Sequence, residues 1–174
     1  LYTDDVFTAY VFIEICTLAS TGILMIRQVG RTTVAAVRYL IFNLLGSGLF
    51  LIGIIILYDI TGHLLIPNIA ESVTNLVANG EYPVPLLISA SLITLGLAVK
   101  SGLFPFCYWM PDTYGYATTA SSSIISGIVS KIYIFTSIKM LYRVMGASYA
   151  TQSHITDVLF VFGLAGMIIG SLHA

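Results

Sequence analysis

The stretch AVKSGLFPFCYWMPD, residues 98–112, decides the fold because it places a charge and several helix breakers inside an apolar run. Lys100 ends the apolar segment, and Gly102, Pro105 and Pro111 follow it with aromatic residues between them. Proline interrupts a helix because it lacks an N–H group and its ring clashes with the preceding turn. Carbonyl groups freed in this way inside lipid must find protein or water partners. We therefore predict a helix broken at membrane depth, where water reaches Lys100 through the break.

The composition indicates a membrane protein. Of the 174 residues, 57% are hydrophobic and only 9% are charged, whereas soluble proteins carry about 25% charged residues. So few charges could not cover the surface of a soluble fold, and lipid must supply most of the solvent. The formal net charge of −1 and the absence of a basic cluster exclude a nucleic-acid-binding protein.

Five segments are long and apolar enough to cross a membrane as helices, which takes about 20 residues each. They are too long and too uniformly apolar to be barrel strands. They cover residues 6–26, 34–58, 84–104, 117–144 and 155–172. We predict an all-α membrane protein with one transmembrane helical domain over residues 1–174. The sequence begins without Met and ends without a polar tail, so we expect a piece of a longer membrane protein.

The links between these segments carry the remaining polar residues. Pro67 is predicted to start a short surface helix that ends at Asn79 and Gly80. Arg27 and Arg31 crowd the first link, whereas the next link, residues 59–82, is acidic. The positive-inside rule then places the first link in the cytoplasm, although an arginine near the end of the segment 117–144 falls on the opposite side.

The cysteines and histidines do not indicate a metal site. Cys16 and Cys107 lie in apolar runs without the spacing of a disulfide framework, and we expect two buried thiols. His63, His154 and His173 have no metal-ligand spacing. No nucleotide-binding or nucleophile motif is present either. We therefore predict no metal, no cofactor and no catalytic residue.

Ionisable residues inside the predicted spans are the candidate functional residues, because a charge near the centre of a membrane helix costs about 2.5–3.5 kcal/mol. Glu14 lies near the middle of the first span and shares a helical face with Tyr10, Thr17 and Thr21. This polar face is expected to look into the bundle, either as a proton-carrying site or as a helix–helix contact. Lys100 could instead extend to the lipid head groups, but the break beside it favours a buried role.

Lys131 lies in the middle of the fourth span, beside small polar residues that include Ser126 and Ser130. These serines predict either close helix packing or a hydrated path that reaches the lysine amine. Arg38 lies near the start of the second span, and its guanidinium stays charged at any relevant pH. It can influence a neighbouring acid but cannot carry protons, and a purely structural role is equally open.

The region around the break resembles the core motif of the antiporter-like membrane subunits. These subunits occur in respiratory complex I, in membrane-bound hydrogenases and in Mrp-type cation/proton antiporters. The resemblance rests on Lys100, Gly102, Pro105, Phe106, Cys107, Trp109, Met110, Pro111 and Asp112, followed by Lys131. FTAYVFIEICTLASTGIL resembles the family helix with a central glutamate, here Glu14, and the segment VRYLIFNLLGSGLFLIGIIILYDITGHL leans toward the D-type subunit of Mrp antiporters.

The resemblance implies a fold and roles. The chain would form one five-helix repeat of an inverted-repeat transporter fold. Glu14 and Lys100 would be the acid–lysine pair of the first half-channel, and Lys131 would relay protons toward the membrane centre. Cys107 replaces a histidine that many members have at this position. Thr118 and Ala120 replace two prolines, so the fourth helix is expected to start less sharply.

We therefore expect part of an ion-translocating subunit that moves protons across the plasma membrane of a prokaryote. The assembly that we expect is a multisubunit Mrp-type antiporter that exchanges Na⁺ for protons. The first alternative is a proton-pumping subunit of a complex I-like NADH:quinone oxidoreductase or of a membrane-bound hydrogenase. A second alternative is a structural scaffold in which the buried charges form static salt bridges. The expected partners are other membrane subunits, the lipid bilayer and protons, with Na⁺ as a second candidate ion.

Overall fold

The computed structural model describes residues 3–27 and 30–173, and in this part of the chain the secondary structure is helical. Five helical spans are long and apolar enough to cross a membrane. They are Val6–Leu24, Gly30–Thr61, Pro83–Tyr116, Thr119–Val144 and Ile155–Leu172. The predicted all-α membrane architecture is confirmed. The side chains of Arg27 and His173 lie outside the described part, so the predictions on them are not addressed.

The first two membrane helices, α1 (Val6–Leu24) and α2 (Gly30–Thr61), are followed by a short amphipathic helix, α3 (Ile66–Asn79). Pro67 occupies the first turn of α3, where its missing N–H group costs nothing. Ile69 and Val73 bury one face of α3, and Gly80 ends it in a left-handed conformation with φ of +69°. The short helix predicted from Pro67 and Asn79-Gly80 is therefore present.

The third span is interrupted, as predicted, and consists of α4 (Pro83–Ser101), a 3₁₀ turn (Phe106–Trp109) and α5 (Met110–Tyr116). Gly102, rather than Pro105, ends α4, so the predicted end at residue 104 is three residues late. Gly102 has φ of +72°, which glycine adopts without steric cost. The Gly102 N–H donates to the Val99 carbonyl at 3.2 Å and closes the last helical turn.

Pro111 does not break a helix. It lies in the first turn of α5, where proline is compatible with helical geometry. Met110 lies directly over the break, because a Cβ atom on Gly102 would be only 2.2 Å from the Met110 Cε atom. The interruption thus begins at Gly102 and includes Pro105, which precedes the 3₁₀ turn, and the α-helix resumes at Met110.

The fourth span, α6 (Thr119–Val144), includes two π-helical stretches, Ile125–Val129 and Met140–Val144. The side chain of Thr118 caps its start by accepting a hydrogen bond from the Ser121 N–H at 3.2 Å. The predicted start at residue 117 is therefore two residues early. A short helix, α7 (Ala147–Gln152), leads into α8 (Ile155–His173), whose side chains are mostly exposed and apolar.

Close contact between α2 and α4 sets the position of Lys100. A Cβ atom on Gly96 would lie 2.6 Å from the Gly46 carbonyl oxygen, so these two backbones touch. Two turns after Gly46 on α2, the Gly53 carbonyl accepts a hydrogen bond from the hydroxyl of Ser89 on α4 at 2.8 Å. Small residues at such crossings let membrane helices approach closely. The aliphatic stem of Lys100 is consequently pressed against Gly46 of α2.

Candidate ion-translocation site

Lys100 lies in the last turn of α4 and its side chain is fully buried, at 0% exposure. The carboxyl end of a helix carries a partial negative charge, which stabilises a cation in the last turn. Because Gly102 ends α4 at this point, that negative end lies inside the bundle and beside Lys100. The helix break therefore places a partial negative charge beside the ammonium group of Lys100 and stabilises it.

The amine of Lys100 contacts groups from two other helices. Its Nζ atom lies 3.3 Å from Glu14 Oε2 and 2.9 Å from Thr17 Oγ1, both on α1. The same atom lies 5.4 Å from the centre of the Tyr133 ring on α6, within the range of a cation–π contact. An ammonium group has three donors; two acceptors are within hydrogen-bond distance here, and the Tyr133 ring faces the same group. Protein groups therefore provide the stabilisation that the sequence led us to expect from water.

Glu14 is held from two sides. Its Oε2 atom accepts a hydrogen bond from the hydroxyl of Ser47 on α2 and faces the amine of Lys100. The side chain keeps 22% of its surface exposed, so it lies at the edge of the interior rather than inside it. A pair at this separation gains about 5 kcal/mol of Coulomb energy at an effective dielectric constant of about 20. The expected acid–lysine proximity is thus present in the structure.

A chain of hydroxyl groups extends the pair toward α6. The Thr17 hydroxyl lies 3.0 Å from the Tyr133 hydroxyl and also donates to the Ile13 carbonyl of its own helix. Tyr133 and Ser47 were not predicted from the sequence. The available signal for Ser47 was its position one turn after Asn43 on an apolar helix. Tyr133 stands two residues after Lys131 and therefore faces a different side of α6.

Lys131 is not brought to this cluster. It is exposed on the outer face of α6, in a shallow depression lined by Ile128, Ile134, Phe135 and Ile138. Among the described residues it makes no hydrogen bond or ion pair. A charge left in this position at mid-membrane depth costs about 2.5–3.5 kcal/mol. The two predicted lysines therefore have opposite environments within this chain.

The serines of α6 do not form a continuous hydrogen-bonded path to Lys131 within the described residues. Ser130 is buried and lies 3.3 Å from the Tyr114 hydroxyl. Ser126 points to the carbonyl of Ser123, one turn earlier in its own helix, at 3.4 Å. Ser130 therefore faces inward, whereas the amine of Lys131 faces outward. The packing interpretation of this stripe agrees better with these contacts than the hydrated path does.

Arg38 pairs with Asp112 instead of approaching Glu14. The guanidinium of Arg38 on α2 donates to the carboxylate of Asp112 on α5, and the two side chains are 47% and 32% exposed. Tyr116 lies one turn after Asp112 on α5. The guanidinium carbon of Arg31 lies 6.0 Å from the centre of the Tyr116 ring. These contacts hold the second half of the broken span against α2. Arg38 thus has a structural contact at the end of the bundle that carries Arg31.

Within the described residues, no hydrogen bond or ion pair joins the side chain of a cysteine or histidine to Glu14 or Lys100. Cys16 and Cys107 are free thiols and are only partly buried, whereas two buried thiols were expected. His63 is exposed. His154 is also exposed and lies 2.9 Å from the carboxylate of Asp157 on the surface.

Comparison with known proteins gives one consistent result. The family described as "NADH:quinone oxidoreductase/Mrp antiporter, TM" matches residues 3–174. The chain is 32% identical to NADH-quinone oxidoreductase subunit N of Desulforudis audaxviator over 99% of its length. It is 27% identical to the D-type subunit of the Na(+)/H(+) antiporter of Bacillus subtilis over 95% of its length. It covers 33% and 34% of these two relatives, or about a third of their length.

A solved structure agrees with these relatives. The chain is similar to one chain of the membrane-bound sulfane sulfur reductase, an archaeal respiratory membrane complex, with a TM-score of 0.75 and 29% identity. The match covers 86% of this chain and 30% of that one. The apolar helices and these relatives confirm a multi-pass protein of the plasma membrane. The chain belongs to the NADH:quinone oxidoreductase/Mrp antiporter family of transmembrane proteins, which the resemblance around Lys100 predicted.

Proposed function

We propose that this chain carries protons within an ion-translocating subunit of a multisubunit membrane complex. The observation that supports this most strongly is the fully buried Lys100 amine 3.3 Å from Glu14, at the end of a helix that stops inside the bundle. Both groups can gain or lose a proton. Ionisable pairs in such surroundings are costly to maintain, and this cost supports a functional role.

The chemistry follows from two opposing effects on the pair. Burial favours the neutral forms of an acid and an amine, whereas mutual attraction favours the charged forms. A proton that reaches Glu14 removes the charge that stabilises the Lys100 ammonium, and burial then favours release of a proton from the amine. Since the two groups interact strongly, they exchange protons as a unit rather than singly. A small change in the distance between Glu14 and Lys100 therefore makes the pair bind or release one proton.

Lys131 is proposed as the next proton acceptor, and it requires a covering surface. Its exposed amine lies among apolar side chains and has no partner within the described residues. The present chain spans about a third of its relatives, which therefore contain additional helices or loops that can cover the outer face of α6. We propose that the covering part supplies the partner of Lys131 and continues the path. Other membrane subunits complete the assembly.

Cation/proton antiport is the second candidate function. Two relatives carry the names of antiporter components, a Na(+)/H(+) antiporter of Bacillus subtilis and a "Probable K(+)/H(+) antiporter" of Rhizobium meliloti. These D-type subunits are 27% and 32% identical to the chain. A proton gradient imposed on proteoliposomes should then drive Na⁺ or K⁺ movement. Proton transport without either cation would favour a respiratory proton pump instead.

Transport assays on the full-length protein in its complex test the proposal. Lys100→Ala and Glu14→Gln should each lower proton transport by about 100-fold or more, the typical contribution of a positioned acid or base. Glu71→Gln is the matched control, because Glu71 is an exposed acid on α3 away from the pair. Undiminished transport in both pair variants would refute the proposed role.

A further inference from the structure

Arg31 and Arg38 line a pocket of about 500 Å³ at the end of the bundle where α2 begins. Asp112 and Tyr116 of α5 line its other side. The guanidinium of Arg38 donates to Asp112, whereas Arg31 faces the Tyr116 ring and has no ion pair among the described residues. Two arginines against one carboxylate leave this arginine pocket with one positive charge in excess. The guanidinium of Arg31 is therefore available to an anion.

A groove of about 630 Å³ lies further along α2 and is lined by apolar residues only. Leu45, Gly48 and Leu49 belong to its α2 side, while Val99 of α4 and Phe106 of the 3₁₀ turn also line it. A Cβ atom on Gly48 would meet nothing within 4 Å, so the groove is open at this point. Because no side chain that lines it carries a polar atom, this apolar groove is suited to a hydrocarbon chain and not to a polar ligand.

The arginine pocket and the apolar groove lie on one face of α2. Arg31 and Arg38 line the pocket, and Leu45 and Ile52 line the groove. These four residues are spaced by seven, almost two turns of helix, so they point in nearly the same direction. Leu49 is about 16 Å along the helix from Arg38. One leaflet, half of the hydrocarbon core, is about 15 Å thick. The groove therefore has the depth of one leaflet below the arginine pocket.

We propose that the arginine pocket and the apolar groove together bind one anionic phospholipid of the surrounding bilayer. Its phosphate accepts hydrogen bonds from Arg31 and Arg38, and one acyl chain lies in the groove. Arginine binds phosphate through parallel N–H donors and stays charged at any relevant pH. A soluble phosphate would leave the groove unused, and an apolar helix of another subunit would leave the excess positive charge without a counter-ion. A phospholipid satisfies both parts of the site.

The charges at this end of α2 favour an anionic lipid over a zwitterionic one. Arg27 precedes Arg31 and Arg38 in the sequence, so by the positive-inside rule this end is expected to be cytoplasmic. Anionic lipids of the cytoplasmic leaflet attract basic residues near the membrane surface. Tyr116, which is 39% exposed, adds an aromatic ring of the kind that concentrates at the membrane–water interface. The inference goes beyond the proposed function, because a lipid site requires no proton transport.

A lipid in this position would contact both sides of the helix break. Val99 directly precedes Lys100 near the end of α4, and Phe106 is the first residue of the 3₁₀ turn. At the head-group end, the arginine pocket includes Asp112 and Tyr116 of α5. The bound lipid is therefore expected to stabilise the packing of both halves of the broken span against α2.

Photoaffinity labelling of the full-length protein in its complex tests the site. The delipidated complex in detergent receives either phosphatidylglycerol, which is anionic, or phosphatidylcholine, which is zwitterionic. Both lipids carry the same diazirine on one acyl chain, and mass spectrometry locates the labelled residues after irradiation. Phosphatidylglycerol should label residues 41–52 about fivefold more strongly than phosphatidylcholine at equal concentration, the difference expected from one unpaired basic residue.

Arg31→Gln removes the unpaired charge and leaves the contact between Arg38 and Asp112 in place. It should lower the labelling of residues 41–52 by phosphatidylglycerol about fivefold and leave the labelling by phosphatidylcholine unchanged. Arg143→Gln is the matched control, since Arg143 is an exposed arginine on α6 that does not line the arginine pocket. Labelling in this control should equal that of the unsubstituted protein.

Gly48→Phe tests the groove separately from the charge. The added ring would occupy the groove, because nothing lies within 4 Å of the position of the new Cβ atom. Labelling of residues 41–52 by phosphatidylglycerol should then fall to the level seen with phosphatidylcholine. Gly22→Phe on α1 is the matched control, since a Cβ atom on Gly22 also meets nothing within 4 Å. Thermal unfolding of the two variants shows that each is folded.

Four outcomes would overturn the proposal, and none of them bears on the proposed function, which Lys100→Ala tests. Equal labelling by the two lipids, or unchanged labelling in Arg31→Gln, would remove the head-group site. Unchanged labelling in Gly48→Phe would remove the acyl chain from the groove. Competition by glycerol 3-phosphate as effective as that by unlabelled phosphatidylglycerol would indicate a soluble phosphate ligand. Absence of label from residues 41–52 with both lipids would show that protein covers the groove.

Discussion

Lys100 and Lys131 are both lysines inside apolar membrane spans, yet the structure treats them in opposite ways. Lys100 is fully buried and is partnered by Glu14, Thr17 and the ring of Tyr133. Lys131 projects from the outer face of α6 and lacks a partner among the described residues. One charge is therefore compensated within the chain, and the other must be compensated by whatever covers that face.

The difference shows what stabilises a charge inside the membrane. Lys100 has the end of α4, a carboxylate, a hydroxyl and an aromatic face around it, and the groups come from two additional helices. Lys131 has only aliphatic and aromatic neighbours on its own helix. Local sequence is similarly apolar at both sites, so helix packing rather than composition separates them.

Glu14→Gln should have the largest effect on stability, because it leaves the Lys100 charge buried without its counter-ion. Removing one partner of a buried ion pair costs about 3–5 kcal/mol. The free energy of unfolding of the purified full-length protein, from denaturant titration, measures this. A loss below about 1 kcal/mol, the value typical of exposed pairs, would contradict the buried pairing.

Thr17→Val should have the next largest effect. Valine keeps the shape of threonine but removes the hydroxyl that meets both Lys100 and Tyr133. Hydrogen bonds to charged groups contribute about 1.5–3 kcal/mol, so the free energy of unfolding should fall by that amount. Thr136→Val is the control, because the Thr136 hydroxyl donates only within its own helix, to Ile132. Equal effects of the two substitutions would remove Thr17 from the stabilisation of Lys100.

Gly46→Ala should push α4 away from α2 and weaken the position of Lys100. The added Cβ atom would lie 2.8 Å from the Gly96 carbonyl oxygen and 3.0 Å from the Lys100 Cγ atom. Overpacking of this kind costs about 1 kcal/mol or more in thermal or denaturant unfolding. Gly48→Ala on the same helix meets nothing within 4 Å and should be neutral or stabilising. A matching loss in both variants would show that the α2–α4 contact is not specific.

The smallest expected effect is the coupling energy between Glu14 and Lys131, which a double-mutant cycle measures. Glu14→Gln combined with Lys131→Met should be additive in unfolding free energy within about 0.5 kcal/mol, as expected for residues without contact. The cycle of Glu14→Gln with Lys100→Met should be strongly non-additive, because Lys100→Met removes the charge that Glu14 compensates. Coupling of similar size in the two cycles would erase the distinction between the lysines.

The helices were predictable from the sequence because a span of about 20 apolar residues has few alternatives in lipid. The break was predictable as well, but Gly102 rather than Pro105 ends α4, since a left-handed cap acts before the proline is reached. The proximity of Glu14 and Lys100 followed from a family resemblance. Local pattern could not provide it, because the two residues come together only through the packing of α1 and α4 on α2.

Whether a side chain faces into or out of the bundle depends on how its helix is rotated about its axis. The exposed position of Lys131 and the inward position of Tyr133 differ by two residues, which is enough to reverse the face of a helix. Ser47 was not singled out because one serine in a long apolar helix has several common explanations. Arg38 was considered for its effect on a neighbouring acid, and its partner Asp112 comes from beyond the break.

A charge-swapped protein, with Glu14→Lys and Lys100→Glu together, tests the central claim most directly. If the pair carries protons, the swap should restore assembly of the complex in the membrane while proton transport stays at the level of Lys100→Ala. Restored assembly with restored transport would mean that the two charges form a static bridge, and the pair would then have no part in moving protons.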